Sequence, residues 1–387
     1  MDNARKLRVQ LITRNLPPLV GGMEQLNWHL VDQLRAAADV VVVGPEGASA
    51  FAPPATDIRE VPLRPLWRFL LVATRCAVAV ARQFRPDVVF GGSGLMAPMT
   101  WVSARLVGAK AAIYLHGLDI AVNHPLYRWF WLPFLHRMDL VFANSSATQA
   151  MAVAQGIPAA RIAIVHPGVA VPGALPGHSP KRVADAFSGL GDGKVLLSVG
   201  RLSSRKGLCE FVSEVLPLIV RRCPDVMLLI AGDVPKDALH AKAQTPEMIR
   251  DAARRAGVGD HLRFLGVIVD REHLADIYRG SDLHVFPVRT IPGDPEGFGM
   301  VAIEAAAFGV PTVAYATGGV VDAVADGVSG RLVAPGQPQA FADAVVALLE
   351  RPLPREQVWR HAQAYDWSQF GRKIFGTLCN LTSTGST

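Results

Sequence analysis

The sequence predicts an α/β protein made of two doubly wound, parallel-sheet (Rossmann-like) domains facing across a cleft. Three observations point there. Short apolar, strand-like segments alternate with helical stretches along almost the whole chain. The alternation is interrupted by residues 167–180, a stretch rich in Pro, Gly and Ala, and then restarts. Half of the 387 residues are hydrophobic, which supports large cores rather than disorder. Strands that alternate with helices form parallel sheets covered on both faces. A chain of this length suggests two or three domains.

The elements follow in order. Leu7–Thr13 reads as a buried strand, followed by a Pro/Gly loop and a helix from about Met23 to Ala37. Val40–Val43, Asp87–Phe90, Ala111–Leu115, Leu140–Ala143 and Ile162–Val165 repeat the strand theme. After the Pro/Gly/Ala stretch, Lys194–Val199 is a new first strand, with a glycine loop and a helix over Gly207–Arg222. Val226–Ala231, Leu262–Leu265, Leu283–Phe286 and Thr312–Ala314 are further strands. The segment after Arg355, with Trp359 and Trp367, reads as helical and is expected to pack back across the linker, ending in a frayed tail over Leu381–Thr387. The expected division is 1–172, 173–355 and 356–387. Ligands of such sheets bind at the carboxyl ends of the strands, so a cleft between the domains follows.

The net charge of +6 favours acidic partners: phosphorylated substrates, anionic lipid or nucleic acid. Nucleic acid is the weakest of these, because no basic run, zinc spacing or RNA-binding signature occurs. Cys76, Cys209, Cys223 and Cys379 lack metal or redox spacing, which fits a reducing cytoplasm. The first residues do not read as a signal peptide, and no uncharged apolar run is long enough for a transmembrane helix.

The most informative stretch runs from Pro295 to Ala305 and carries Glu296 and Glu304. Glu304 is the only charge from Gly297 to Tyr315 and shares a helix face with Val301, Ala305 and Phe308. A carboxylate there needs donors, either a core Arg or Lys or the hydroxyls of a ligand. Glu296 lies just before the helix, where free N–H groups and the positive dipole end form an anion site. It reads as a helix cap or as part of a site for a hydroxyl-rich, phosphorylated ligand. In Ser198–Gly207, Arg201, Arg205 and Lys206 follow a strand end and precede a helix, an arrangement that suits a diphosphate or a solvated basic loop. Gly21 and Gly22 at a helix start permit close backbone approach to a ligand or make a tight turn. His116, at the carboxyl end of a strand, is a candidate for orienting a hydroxyl or moving a proton, with a structural histidine as the alternative. Arg68, Arg75 and Arg82 share one face of a helix over Arg64–Phe84, and His124–Phe134 is strongly aromatic with His136 and Arg137 behind it. The two segments suit an anionic membrane surface or an ordinary surface helix beside an aromatic cluster. No Asp-x-Asp occurs, which argues against a divalent-metal diphosphate site.

Together these motifs resemble the glycosyltransferase family 4 group of retaining enzymes, which have the two-domain GT-B fold. The resemblance covers nearly the full length and is strongest from Ser198 to Pro335, where the two glutamates, the Arg/Lys loop and Thr317-Gly318-Gly319 stand in the family's order. It is nearest the branch of phosphatidylinositol mannosyltransferases and bacterial polysaccharide or lipopolysaccharide glycosyltransferases. The resemblance implies that Arg201 and Lys206 bind the donor diphosphate and that Glu304 holds the ribose hydroxyls. It implies that Glu296 contacts the transferred sugar, while the backbone N–H groups of Gly297, Phe298, Gly299 and Met300 hold sugar hydroxyls and phosphate. Gly22 would approach the distal phosphate, His116 would orient the donor sugar, and the backbone at Val267 and Ile268 would form the base pocket. Leu16 stands where the family often has an aromatic residue, and Ala170 where many members have Asp.

The implied reaction moves a hexose, first of all mannose from GDP-mannose, to a lipid-linked or saccharide acceptor in cell-envelope glycan synthesis. Glu296, His116, Arg201 and Lys206 would be catalytic, with no metal and no other cofactor. The alternatives are a UDP-sugar donor (glucose, galactose or N-acetylglucosamine), a sugar-nucleotide epimerase, or a non-catalytic sugar-nucleotide-binding protein at a membrane surface. The expected location is cytoplasmic, peripheral at the inner face of the membrane.

Overall fold

A computed structural model describes residues 5–121, 125–179, 193–234 and 243–383. His124, Pro180 and the ends of both termini, which entered the sequence reading, lie outside the described residues. The chain forms two compact units, Met1–Gly168 with Trp367–Thr387, and Val169–Asp366.

The first unit holds a seven-stranded sheet of β1 (Arg8–Ile12), β2 (Asp39–Pro45), β3 (Asp57–Val61), β4 (Val88–Gly91), β5 (Lys110–Leu115), β6 (Leu140–Ala143) and β7 (Ile162–Ile164). Its order is β3-β2-β1-β4-β5-β6-β7, and the paired strands run parallel. The interior strands bury both faces, which is why they read as continuous apolar runs. The order reverses direction between β1 and β4, so the loops after these two strands flank a switch point.

The second unit holds β8 (Val195–Val199), β9 (Met227–Ala231), β10 (Leu262–Gly266), β11 (Leu283–Phe286), β12 (Thr312–Tyr315) and β13 (Gly330–Val333). The order is β10-β9-β8-β11-β12-β13, again parallel, with the switch point between β8 and β11. Two strands, β3 and β13, were not anticipated, and both lie at sheet edges. Their sequences, Asp-Ile-Arg-Glu-Val and Gly-Arg-Leu-Val, carry polar residues that the apolar-run criterion passes over. The helix expected over Gly207–Arg222 spans Leu208–Val220 with a π-helical stretch at Phe211–Val215. Pro217 supplies no N–H to the helical ladder there.

The unit boundaries fall at 168/169 and 366/367 rather than at 172/173 and 355/356. Packing explains the difference. The helix Arg355–Gln363 lies on the helix Met300–Ala307 in the second unit. Val169 donates its N–H to the Tyr365 carbonyl and is buried with Phe298 and Val358. The last helix, Trp367–Ser383, belongs to the first unit and packs on the helix Gly22–Arg35, where His29 stacks on Trp367 at 3.9 Å.

Candidate active site

The switch point of the second unit is built from close backbone contacts. Gly200, after β8, has φ +140°, and a side chain on Gly232 would fall on the Gly200 carbonyl oxygen. Gly207 has φ +70°, and a side chain there would fall on the Pro287 carbonyl just past β11. The Arg289 N–H donates to the Arg205 carbonyl at 2.8 Å. The basic loop is thus seated against the segment leading to Glu296.

Four charges then converge. Lys206 Nζ lies 2.9 Å from Glu296 Oε2 and 4.5 Å from the centroid of the Phe286 ring. Arg205 Nε lies 3.2 Å from the same carboxylate oxygen, while its Nη1 meets Asp294 Oδ1 at 2.5 Å and the Pro295 carbonyl at 3.1 Å. Burial pushes the Glu296 carboxyl up, but Lys206, Arg205 and Arg201 together hold it below the ordinary carboxylate range. Burial lowers Lys206 from the ordinary lysine value, with Glu296 opposing the shift. Arg201 is exposed and forms no ion pair among the described residues.

The helix Met300–Ala307 begins after Gly299, whose φ of +96° admits glycine readily, and no side chain caps it. Glu296 is therefore not its cap, and the carboxylate turns to Lys206 and Arg205 instead. The Thr317-Gly318-Gly319 segment holds this loop from below. Gly319 N–H donates to the Glu296 carbonyl at 2.9 Å, and a side chain on Gly319 would fall on the Gly297 carbonyl. Phe298 is buried while Met300 remains partly exposed.

Glu304 has neither of its expected partners, a core Arg or Lys. Tyr278 donates its hydroxyl to Oε2 at 3.1 Å, and no ion pair reaches the carboxylate among the described residues. Burial raises Glu304 above the usual carboxylate range, opposed by the Tyr278 hydroxyl and by Lys206. Val267 is exposed and Ile268 is packed on the core at the carboxyl end of β10.

In the first unit, Gly22 is exposed at the start of its helix, and Asn15 donates to Glu24 in the first turn at 2.7 Å. His116, directly after β5, is 9% exposed. Its Nε2 lies 2.9 Å from the Gly92 carbonyl, which also accepts from Asn27 of the Gly22 helix at 3.2 Å. Asp119 accepts from the N–H groups of His116 and Gly94 at 2.9 and 2.8 Å. Gly22 and His116 are therefore linked through the loop after β4. The sequence reading gave no role to Asp119, Tyr278, Asp294 or Asn27. Each makes at least one contact with a segment distant in sequence, and Asp119 also accepts from the His116 N–H three residues before it.

A family model described as Glycosyltransferase Family 4 matches residues 20–171, and one described as Glycosyl transferases group 1 matches 193–351. The chain belongs to glycosyltransferase family 4. Among curated relatives of this family 4 chain is the D-inositol 3-phosphate glycosyltransferase 2 of Catenulispora acidiphila, 38% identical over 54% of this chain and 48% of that protein. The D-inositol 3-phosphate glycosyltransferase of Streptomyces coelicolor is 28% identical over 94% of this chain and 90% of its own length. The chain spans about half the length of the curated relatives it matches above 30% identity. Solved structures share the GT-B fold. They include Anabaena Alr3699/HepE in complex with UDP, at TM-score 0.76 and 20% identity over 97% of this chain and all of that one. Sucrose-phosphate synthase from Thermosynechococcus elongatus aligns at TM-score 0.77 and 21% identity, over 98% of this chain and all of that one.

Among the described residues, the site of this family 4 member offers an exposed cation outside any ion pair, a buried cation held by a carboxylate, an uncapped helix start and a second carboxylate with one unpartnered oxygen. Cations and amide dipoles suit a diphosphate, and carboxylates suit hydroxyls. No helix of the described residues is long and apolar enough to cross a membrane.

Proposed function

We propose that this chain transfers a hexosyl group from a nucleoside diphosphate sugar to an acceptor hydroxyl with retention of anomeric configuration. One observation carries the reading: Arg201, Lys206, Glu296 and Glu304 gather at the switch point of the second unit, around an uncapped helix start. Arg201 and Lys206 would bind the diphosphate, Glu304 the ribose, and Glu296 with the amides of Gly297, Phe298, Gly299 and Met300 the sugar. Val267 and Ile268 would border the base. Gly22 would meet the distal phosphate, and His116 would orient the sugar.

In the proposed reaction the bond from the anomeric carbon to the phosphate oxygen breaks, and its electron pair leaves with the diphosphate. The acceptor oxygen bonds to the same face of that carbon and gives its proton to the departing phosphate. Arg201 and Lys206 stabilise the charge that develops on the leaving group. Lys206 already pairs with Glu296, so donor binding redistributes an existing ion pair and charges no new group.

The donor preference moves from GDP-mannose to a UDP sugar. Structural neighbours captured with UDP and with UDP-glucose support this choice. Relatives named for D-inositol 3-phosphate make a phosphorylated polyol the first acceptor to test, ahead of a lipid-linked or saccharide one. A thermal-shift panel of UDP-N-acetylglucosamine, UDP-glucose, UDP-galactose, GDP-mannose and NAD, run on wild type and Glu304→Ala, tests the donor site. A rise with one sugar nucleotide that disappears in the variant supports it, and no rise with any of them sinks it. Product analysis separates transfer from epimerisation.

A membrane-surface partner has its own support. The helices Leu66–Phe84, Ala97–Val107, Pro125–Phe130 and Leu132–Leu135 contain no Asp or Glu. Trp67, Leu71, Trp129 and Phe130 are exposed beside the exposed Arg68, Arg75, Arg82 and Arg128. Such a face suits anionic lipid. Failure to sediment with anionic liposomes at low salt would remove this partner.

A further inference from the structure

Among the described residues the carboxylate of Glu304 has a single hydrogen-bond partner, and that partner is a buried phenol. Tyr278 is 1% exposed, on the helix Arg271–Gly280. Its ring stacks on Phe308 with centroids 5.3 Å apart and planes 5° from parallel. Phe308 closes the helix that carries Glu304, so ring and carboxylate are held by the same helix end. Burial and the charge of Glu304 keep the phenol protonated well above the ordinary tyrosine range, so it is the donor in the bond to Oε2. Oε1 has no hydrogen-bond partner among the described residues.

We propose that Tyr278 is a positioning residue: by occupying Oε2 of Glu304, it fixes the carboxylate so that Oε1 and the remaining lone pair of Oε2 accept from a vicinal diol. The proposal rests on the reading of Glu304 as the ribose-binding group and adds a requirement to it. A carboxylate in apolar surroundings, with neither cation nor donor, rotates freely and takes up a proton more readily. Either change removes an acceptor that two adjacent hydroxyls need. The phenol prevents both without competing for the open oxygen. It also supplies no positive charge, so the subsite remains selective for neutral hydroxyls over anionic groups.

The test measures binding of UDP and of 2′,3′-dideoxy-UDP by calorimetry to wild type, Tyr278→Phe and Glu304→Gln, with GDP and its dideoxy form in parallel. Tyr278→Phe keeps the ring on Phe308 and removes one oxygen. The expected result is a roughly tenfold loss of affinity for the ribonucleotide, the scale of one hydrogen bond to a charged group, and no change for the dideoxy form. The acid limb of ribonucleotide affinity should move to higher pH in the same variant, because the carboxylate loses the donor that favours its ionised state. Equal losses on both nucleotides, or no loss on either, overturn the positioning role. If Glu304→Gln itself fails to distinguish the two nucleotides, the ribose reading falls, a separate outcome from a silent Tyr278→Phe beside a sensitive Glu304→Gln. Phe308→Leu, which removes the stacking partner and leaves both polar groups, should give a smaller loss of the same kind.

Discussion

Arg205→Ala tests the charge cluster directly. The guanidinium is 10% exposed and reaches three consecutive residues: the carboxylate of Asp294 (17% exposed), the carbonyl of Pro295 and the carboxylate of Glu296 (10% exposed). Removing one member of a buried ion pair costs about 3–5 kcal/mol, because the partner left behind is desolvated and uncompensated. Glu296 retains Lys206 at 2.9 Å, so the cost belongs near about 3 kcal/mol. For a unit of roughly 150–250 residues, each kcal/mol moves the midpoint by about 2–4 °C, which gives a fall of about 6–12 °C. Scanning calorimetry reads it, with the transition of Val169–Asp366 as the one that moves. Donor KM should rise in parallel, since the 294–296 segment loses its anchor to the basic loop. A midpoint within about 2 °C of wild type would refute the reasoning. It would mean that water or a rearranged Asp294 compensates both carboxylates.

Lys206→Ala should lower turnover by roughly 10²–10³-fold, the scale of losing one group that stabilises developing charge; near-normal turnover in a steady-state assay counts against it. Gly319→Ala should raise donor KM and lower the unfolding midpoint, because the added methyl falls on the backbone of Gly297 and of the buried Phe298. Unchanged KM would mean that the loop can shift without cost. His284 is fully buried, and burial, with Lys206 nearby, pushes it down to about 3. The unfolded chain takes up this proton near the ordinary histidine value, so the stability tied to His284 is complete above about pH 6.5 and falls as pH drops towards about 3. Its slope is at most about 1.4 kcal/mol per pH unit. Urea unfolding at several pH values should show that slope in wild type and a shallower one in His284→Leu. Identical slopes would assign the acid sensitivity to other groups.

Much of this architecture was legible because interior parallel strands are buried on both faces, so their sequences say where they are. Leu283–Phe286 and Leu140–Ala143 were read to the residue. Two of the four edge strands, β3 and β13, were not read at all, because their sequences carry polar residues, whereas the edges β7 and β10 showed as mostly apolar runs. At the site, Lys206 and Glu296 stood out by charge against neighbouring loops, yet their mutual bond could not be read from positions ninety residues apart. Tyr278 was silent for a related reason: a tyrosine in an amphipathic helix looks like core until its hydroxyl is seen to end on Glu304. The late return of the chain to the first unit was misplaced because Arg355–Gln363 and Trp367–Ser383 read as one helical tail. Asp366 between them lies in the second unit, and only Trp367 begins the return.

The bond between His116 and Gly92 decides which tautomer the ring adopts. A carbonyl only accepts, so Nε2 carries the hydrogen and the neutral ring leaves Nδ1 with a lone pair. A sugar hydroxyl can meet that nitrogen by pointing its hydrogen inward. A phosphate oxygen cannot, unless the ring first gains a proton. In the proposed role of His116, the imidazole would distinguish the two ends of a nucleotide sugar by hydrogen-bond polarity rather than by size, and alkylation of the matching hydroxyl in a substrate analogue would remove that distinction.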